Sequence, residues 1–311
     1  MQSKQKIPGN TPLINARELG KLLGISELYI KYEGTNPTGT QKDRSASLTV
    51  QQALELGFGT VVAGSCGNYG TSIAYYASLY HVKSIIYIPK QFHSPRLKDI
   101  EEKYGAELRL VEGKYEDSVE TSKRDARDNN WYDANAGAHP ELGLKAFSGI
   151  SSEIYGSIGK IPDTVSVPVG NGTTLAGVYH GFEEIRKELN TTRIPRMIAA
   201  STDGGNPIIE SFRNDEKQIK DFPEERIKET EVNEPLVNFH SYDGELAFDA
   251  LVRSRGFAEY VTDEELHRYK NLVREYAGID AIPAATASVA ATTKIAGKNK
   301  LSGIHVAILT G

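Results

Sequence analysis

Apolar positions along the chain switch repeatedly between a strand period and a helix period. Leu28-Tyr29-Ile30-Lys31-Tyr32-Glu33 alternates and stops at Gly34, which predicts a short strand. Thr11 to Leu23, before it, places Leu13, Ala16, Leu19 and Leu23 near helix spacing. After it, Ala46, Val50, Ala53 and Leu54 mark one face of a helix that ends at Gly57. The runs Thr60–Gly64, Ser84–Ile88, Glu107–Val111, Thr164–Val169, Arg196–Ala200 and His305–Leu309 read as buried strands. Helical patterns separate them, with inward residues Ile73, Ala74, Ala77 and Tyr80, then Leu97, Ile100 and Tyr104. Further helices are predicted over Ser118–Asn129 and Leu142–Ile154, behind Gly177, and over Ala284–Ala296. Thr262-Asp263-Glu264-Glu265 is a capping box that opens another, with Leu266, Tyr269, Val273 and Tyr276 inward. This β-α-β-α-β rhythm predicts an α/β fold with a parallel sheet covered by helices. Gly204 to Glu234 turns polar and reads as a surface excursion.

Composition narrows the function classes. The net charge of −5 and the lack of a Lys/Arg block give no footprint for nucleic acid. The apolar runs are too short to cross a bilayer, and Met1–Ile7 has no apolar run behind it, so neither a membrane partner nor a secretory signal is expected. Cys66 is the single cysteine, and the seven histidines fall into no ligand spacing, so no disulfide and no metal site is expected. The expected location is cytoplasmic.

Four stretches carry candidate chemistry. In Asn36-Pro37-Thr38-Gly39-Thr40-Gln41-Lys42-Asp43-Arg44 a turn runs into a helix start, and Lys42 stands at the junction. An ammonium there opposes the helix dipole, which favours the neutral amine that attacks an aldehyde. A solvated Lys-Asp-Arg run is the other reading of that segment. Gly170-Asn171-Gly172-Thr173-Thr174 follows a strand and precedes a helix, so its amides suit a phosphate. Its spacing departs from the dinucleotide fingerprint, and a tight connection alone would also explain it. Ser65-Cys66-Gly67-Asn68-Tyr69-Gly70 is a second strand-to-helix loop whose amides suit a carboxylate, with Asn68 able to donate to a phenolate. Cys66 has no assignable base and reads as packing. Thr310 ends the last strand, where a hydroxyl can meet a ring nitrogen or simply fray. A phosphate-bearing aldehyde with an amino-acid substrate uses all four.

In order and spacing these stretches, with Pro168-Val169 and Leu309-Thr310-Gly311, resemble the fold type II pyridoxal-phosphate enzymes of the tryptophan synthase β family. Within it the threonine synthases are most similar. The resemblance implies two three-layer α/β/α domains with mostly parallel sheets and pyridoxal 5'-phosphate in the cleft between them. It divides the chain into a larger cofactor-phosphate domain, 1–43 and 146–311, and a smaller substrate-carboxylate domain, 44–145. It implies that Lys42 is the Schiff-base lysine and proton shuttle, that Asn68 contacts the phenolic oxygen, and that Gly170, Asn171, Gly172, Thr173 and Thr174 bind the phosphate. Thr310 then faces the ring nitrogen, and Ser65, Cys66, Gly67, Asn68 and Tyr69 take the substrate carboxylate. A homodimer and a small amino-acid substrate are implied, with conversion of O-phospho-L-homoserine to L-threonine and phosphate as the reaction. Dehydratase, cysteine-synthase-like and non-catalytic relatives are the alternatives. Gln41 replaces an aromatic usual in the family, and the stretch 135–143 lacks an arginine. That leaves Arg96, Lys98, His139 and Lys145 as candidate partners for a substrate phosphate.

Overall fold

Ten strands are found among the residues the computed structural model describes, 7–65, 67–91, 96–299 and 301–311. They are β1 (Leu13–Asn15), β2 (Glu27–Tyr32), β3 (Thr60–Gly64), β4 (Lys83–Pro89), β5 (Glu107–Val111), β6 (Tyr132–Asp133), β7 (Thr164–Pro168), β8 (Arg196–Thr202), β9 (Phe257–Val261) and β10 (Ile304–Leu309). Cys66 and the side chain of Arg96 lie outside the described residues. The chain divides into two units. The smaller holds residues 36–142 with Ile7 and Pro8, and the larger holds residues 9–35 and 143–311.

The smaller unit is built on a wholly parallel four-stranded sheet in the order β5-β4-β3-β6. Strand alternation explains why both of its faces are covered. Val61 and Ala63 of β3 and Ile86 and Ile88 of β4 enter one core, with Ala46, Val50 and Ile73 of the flanking helices. Val62, Ile85 and Tyr87 point the other way and pack with Ala126.

The larger unit has a six-stranded sheet in the order β1-β2-β10-β7-β8-β9, parallel except for β1. Ile198, Ala200, Ala307 and Leu309 enter one core, while Met197, Ala199, Val306 and Ile308 enter the core on the opposite face. Each fully buried Ile, Leu or Val of these strands contributes roughly 1.5–3 kcal/mol by leaving water. Both units are therefore helix-covered parallel sheets, as the periodicity predicts. The capping box also forms. Thr262 Oγ1 accepts from the Glu265 amide and Glu265 Oε2 from the Thr262 amide, opening the helix Asp263–Ala277, which stops at Gly278 with φ 68°.

Several expectations need correction. The single helix expected over Thr11–Leu23 is instead β1 followed by the short helix Arg17–Leu23, because Leu13–Asn15 pairs antiparallel with β2. Leu54 and Tyr276, expected to face inward, are exposed. The helix Gly244–Arg253 and the strand β9 are not among the expected elements, although Ala247, Ala250 and Leu251 recur at helix spacing and are buried. Gly204–Glu234 follows its expectation only in part. Its start is the buried helix Pro207–Arg213 with Asn206, Ile208 and Ile209 buried, whereas residues 213–231 are mostly exposed, as a surface excursion predicts, apart from the buried Phe222. No helix among the described residues is long and apolar enough to cross a membrane.

Candidate functional site

Lys42 is the first residue of the helix Lys42–Glu55, as its sequence context predicts. The approach is fixed by the turn Asn36–Gly39, closed by the Gly39 amide on the Asn36 carbonyl at 2.9 Å, with Gly39 at φ 82°. The fully buried Asp43 locks this turn to the helix, because its carboxylate accepts from the Thr38 amide (2.6 Å) and the Thr38 hydroxyl (2.7 Å). The Thr38 hydroxyl also meets Ser72 Oγ at 3.0 Å, tying the turn to the next helix, Asn68–Leu79. Lys42 Nζ lies 6.0 Å from the centre of the Tyr69 ring. The structure thus brings Lys42 and the 65–70 loop together within the smaller unit.

That loop leaves the C-terminal end of β3. Ser65 is buried, and its hydroxyl oxygen accepts from the amides of Gly70 (2.8 Å) and Gly67 (3.3 Å). Its own proton remains available to an acceptor. The Asn68 side chain has no hydrogen-bond partner among the described residues. The Tyr69 hydroxyl donates to the Ala134 carbonyl at 2.8 Å, which ties this loop to the segment after β6. Gly64 completes the tie by donating its amide to Asn135 Oδ1 at 2.7 Å. Next in that segment, the His139 ring stacks on Tyr132, 4.8 Å between centroids and 14° from parallel. Burial, followed by the charge of Tyr69, pushes the Tyr132 phenol well above its ordinary value, so it stays a neutral donor to Gln52.

The larger unit gathers the other predicted residues at one strand edge. β10 and β7 run parallel with Val306 opposite Val165 and Ala307 opposite Ser166. Both strands run toward the same end, β7 to Pro168 shortly before Gly170 and β10 to Leu309 immediately before Thr310. Ligands of open α/β sheets sit at this edge. Thr310 is nearly buried, and its hydroxyl has no partner among the described residues. Gly172 caps the helix Thr173–Glu188 at φ 92°, a left-handed conformation that glycine adopts without strain. A Cβ on Gly172 would lie 2.6 Å from Ala247 Cβ, and one on Gly170 would lie 2.7 Å from the Pro235 carbonyl oxygen.

Among the described residues nothing accepts from the amides of Gly170, Gly172, Thr173 or Thr174. The loop is instead held by its other atoms. Asn171 Oδ1 accepts from Asn238 Nδ2 (3.2 Å) and the Tyr242 amide (3.3 Å), and the Thr173 hydroxyl donates to Asp243 Oδ2 at 2.5 Å. Unpaired amides at a helix start, with no room for side chains behind them, fit a phosphate group. Sequence reading missed Asn206, Asn238 and Asp243. Asn206-Pro207 before Ile208-Ile209 is a helix-start signal, but no local pattern connects it to Gly170.

The candidate cations are less engaged. Lys98 is exposed with Glu102 at 3.9 Å, and Lys145 is exposed. No cluster of His, Cys, Asp or Glu among the described residues could hold a metal.

A family model described as "Pyridoxal-phosphate dependent enzyme" matches residues 4–311. The threonine synthase of Methanocaldococcus jannaschii is 33% identical over 290 residues, covering 92% of this chain and 70% of its own. That of Bacillus sp. (strain ULM1) is 32% identical over 308 residues, covering 97% and 82%. Among solved structures, an L-serine ammonia-lyase from the fungus Rhizomucor miehei has a TM-score of 0.83 at 22% identity, covering 99% of this chain and 95% of that one. Maize serine racemase has a TM-score of 0.82 at 20% identity, covering 97% and 88%. These two likenesses speak for the fold.

Proposed function

The chain belongs to the pyridoxal-phosphate dependent enzyme family, and from that premise we propose that it converts O-phospho-L-homoserine to L-threonine and phosphate. The observation that carries this choice of reaction is the 33% identity to a threonine synthase along 92% of the chain. When bound, pyridoxal phosphate supplies an electron sink for negative charge formed at the α-carbon of an amino acid.

The amides of Gly170, Asn171, Gly172, Thr173 and Thr174 hold the cofactor phosphate in this reading. The Thr310 hydroxyl hydrogen-bonds the ring nitrogen without protonating it, and the free amide of Asn68 donates to the phenolic oxygen. Lys42 anchors the cofactor's aldehyde carbon and then moves the substrate's α-proton. Ser65, with its remaining proton, and the backbone of residues 66–69 bind the substrate carboxylate. The larger unit thus serves the cofactor phosphate and the smaller one the substrate carboxylate.

A second reading is elimination from, or replacement on, an unphosphorylated serine- or threonine-like substrate. One observation favours it. A substrate phosphate needs cationic or amide donors, and the segment 135–143 offers only the stacked His139 as a potential cation. Purified protein supplied with O-phospho-L-homoserine should release equal amounts of inorganic phosphate and threonine. Release of a 2-oxo acid from serine or threonine, without phosphate release from the first substrate, would select the second reading. Protein that stays colourless when pyridoxal phosphate is added would defeat both.

A further inference from the structure

We infer that Asn206 is a positioning residue that turns the amide hydrogens of the 170–174 loop toward the cofactor phosphate. This rests on the assignment of that loop made above. Asn206 is fully buried, and its side-chain nitrogen donates to the carbonyls of Val169 (3.2 Å) and Gly170 (3.0 Å). The same nitrogen lies 3.0 Å from the Leu236 carbonyl and 3.3 Å from Asn238 Oδ1, so its two hydrogens are shared among four acceptors.

The orientation of this carboxamide is fixed by its surroundings. Its oxygen accepts from the amides of Ile208 (3.1 Å) and Ile209 (3.4 Å), capping the helix Pro207–Arg213. The reversed amide would press that oxygen against four others and face two amide donors with an NH2 group.

The consequence follows from peptide geometry. In a trans peptide the C=O and the next N–H point in opposite directions, and no cis peptide occurs among the described residues. Gripping the Val169 carbonyl therefore turns the Gly170 N–H away from Asn206. Gripping the Gly170 carbonyl does the same to the Asn171 N–H. The first two peptide planes of the loop are held from behind, with their donors facing outward. Asn238 extends this hold, because it receives from Asn206 and donates to Asn171 Oδ1. A glycine-rich loop has many accessible conformations, so fixing two of its planes before the anion arrives reduces the entropy lost on binding.

Asn206 also caps a helix, so the test must separate that role from loop positioning. Asn206→Asp keeps a good cap but places an acceptor against the loop carbonyls. Asn206→Ser keeps a cap and is too short to reach them. For wild type and both variants, apoprotein of the full chain is titrated with pyridoxal phosphate and, separately, with pyridoxal, which lacks the phosphate. The visible absorbance of the bound compound is followed, and the ratio of the two dissociation constants isolates the phosphate's share. Wild type should favour the phosphorylated compound, and each variant should reduce that preference about tenfold; both variants should also melt lower as apoprotein, a loss that weakens binding of the two compounds alike and so cancels in the ratio. A preference retained in both variants would overturn the inference and leave Asn206 as a helix cap. If wild type itself shows no preference, the loop assignment fails and the inference fails with it. If Asn206→Asp does not fold, Asn206→Ser decides.

Discussion

The two strand-to-helix loops, 65–70 and 170–174, look alike in sequence but use their backbones in opposite ways. Both follow a parallel strand and precede a helix. In the first, Ser65 takes the amides of Gly67 and Gly70 onto its own hydroxyl, so the loop satisfies part of its donor set internally and presents side chains such as Asn68. In the second, the amides of Gly170, Gly172, Thr173 and Thr174 stay unpaired among the described residues, while Asn206, Asn238 and Asp243 hold the loop through its carbonyls and side chains. A self-bonded loop gives a shaped rim for a small polar substrate, and a back-supported loop gives a set of donors for an anion. Where a loop's hydrogen bonds come from thus says more about its ligand than its glycine content does.

The comparison breaks most severely at Lys42, the residue proposed above to act on both cofactor and substrate. Lys42→Ala should abolish the visible band of bound cofactor and lower turnover by about a thousandfold or more, measured by absorbance and by phosphate release. A variant that kept the band would remove Lys42 from its proposed role. Next comes the second loop alone. Gly172→Ala forces φ 92° on a residue with a Cβ that would sit 2.6 Å from Ala247, at a cost of about 2–4 kcal/mol. It should weaken cofactor binding in a titration while leaving the 65–70 loop intact.

Ser65→Ala tests the first loop. Losing the shared acceptor of two buried amides should cost about 1–3 kcal/mol of stability and raise KM for the amino acid. Cofactor affinity should hardly change, and an equal loss of cofactor affinity would erase the distinction between the loops.

The smallest effect concerns pH and the far end of the sheet that carries the second loop. Burial pushes the His305 imidazole below its ordinary value of 6.5, and its Nδ1 pairs with Thr164 Oγ1 at 2.9 Å. Its folded pKa lies below its unfolded one, so the stability it permits is fully present above about pH 6.5. That stability declines as pH falls through 6.5 toward the folded value. Denaturant melts from pH 7.5 down to 5 should show this decline, and His305→Asn should flatten it.

Much of this was legible because strand and helix periods are strong here. Val61, Val62, Val165 and Val167 could only be buried strand residues, and Lys42 could be placed at a helix start from the turn before it. Thr310 and Gly170 were each readable as strand ends. Their shared edge was not, because it depends on the pairing of β10 with β7, which local sequence does not encode. Asn206 failed for the same reason. Its sequence neighbourhood announces a helix cap, whereas its contact with Gly170 arises from a long-range fold. Polarity misled the reading only at the start of Gly204–Glu234, since a polar side chain such as Asn206 that satisfies buried carbonyls looks identical in sequence to a solvated one.

The sheet that carries the second loop also dictates an order of assembly. Residues 36–142 form a contiguous unit whose strands all lie near one another along the chain. The larger unit opens with β1 and β2, but the parallel neighbour of β2 is β10, at residues 304–309. During synthesis the smaller unit can complete its sheet while β2 still has an unfilled edge. The later strand must then insert between β2 and β7 to close the larger one. This insertion joins residues 27–32 to residues 304–309, the most distant pairing in the sheet, and it brings the ends of β10 and β7, and with them Thr310 and Gly170, to the same end of that sheet.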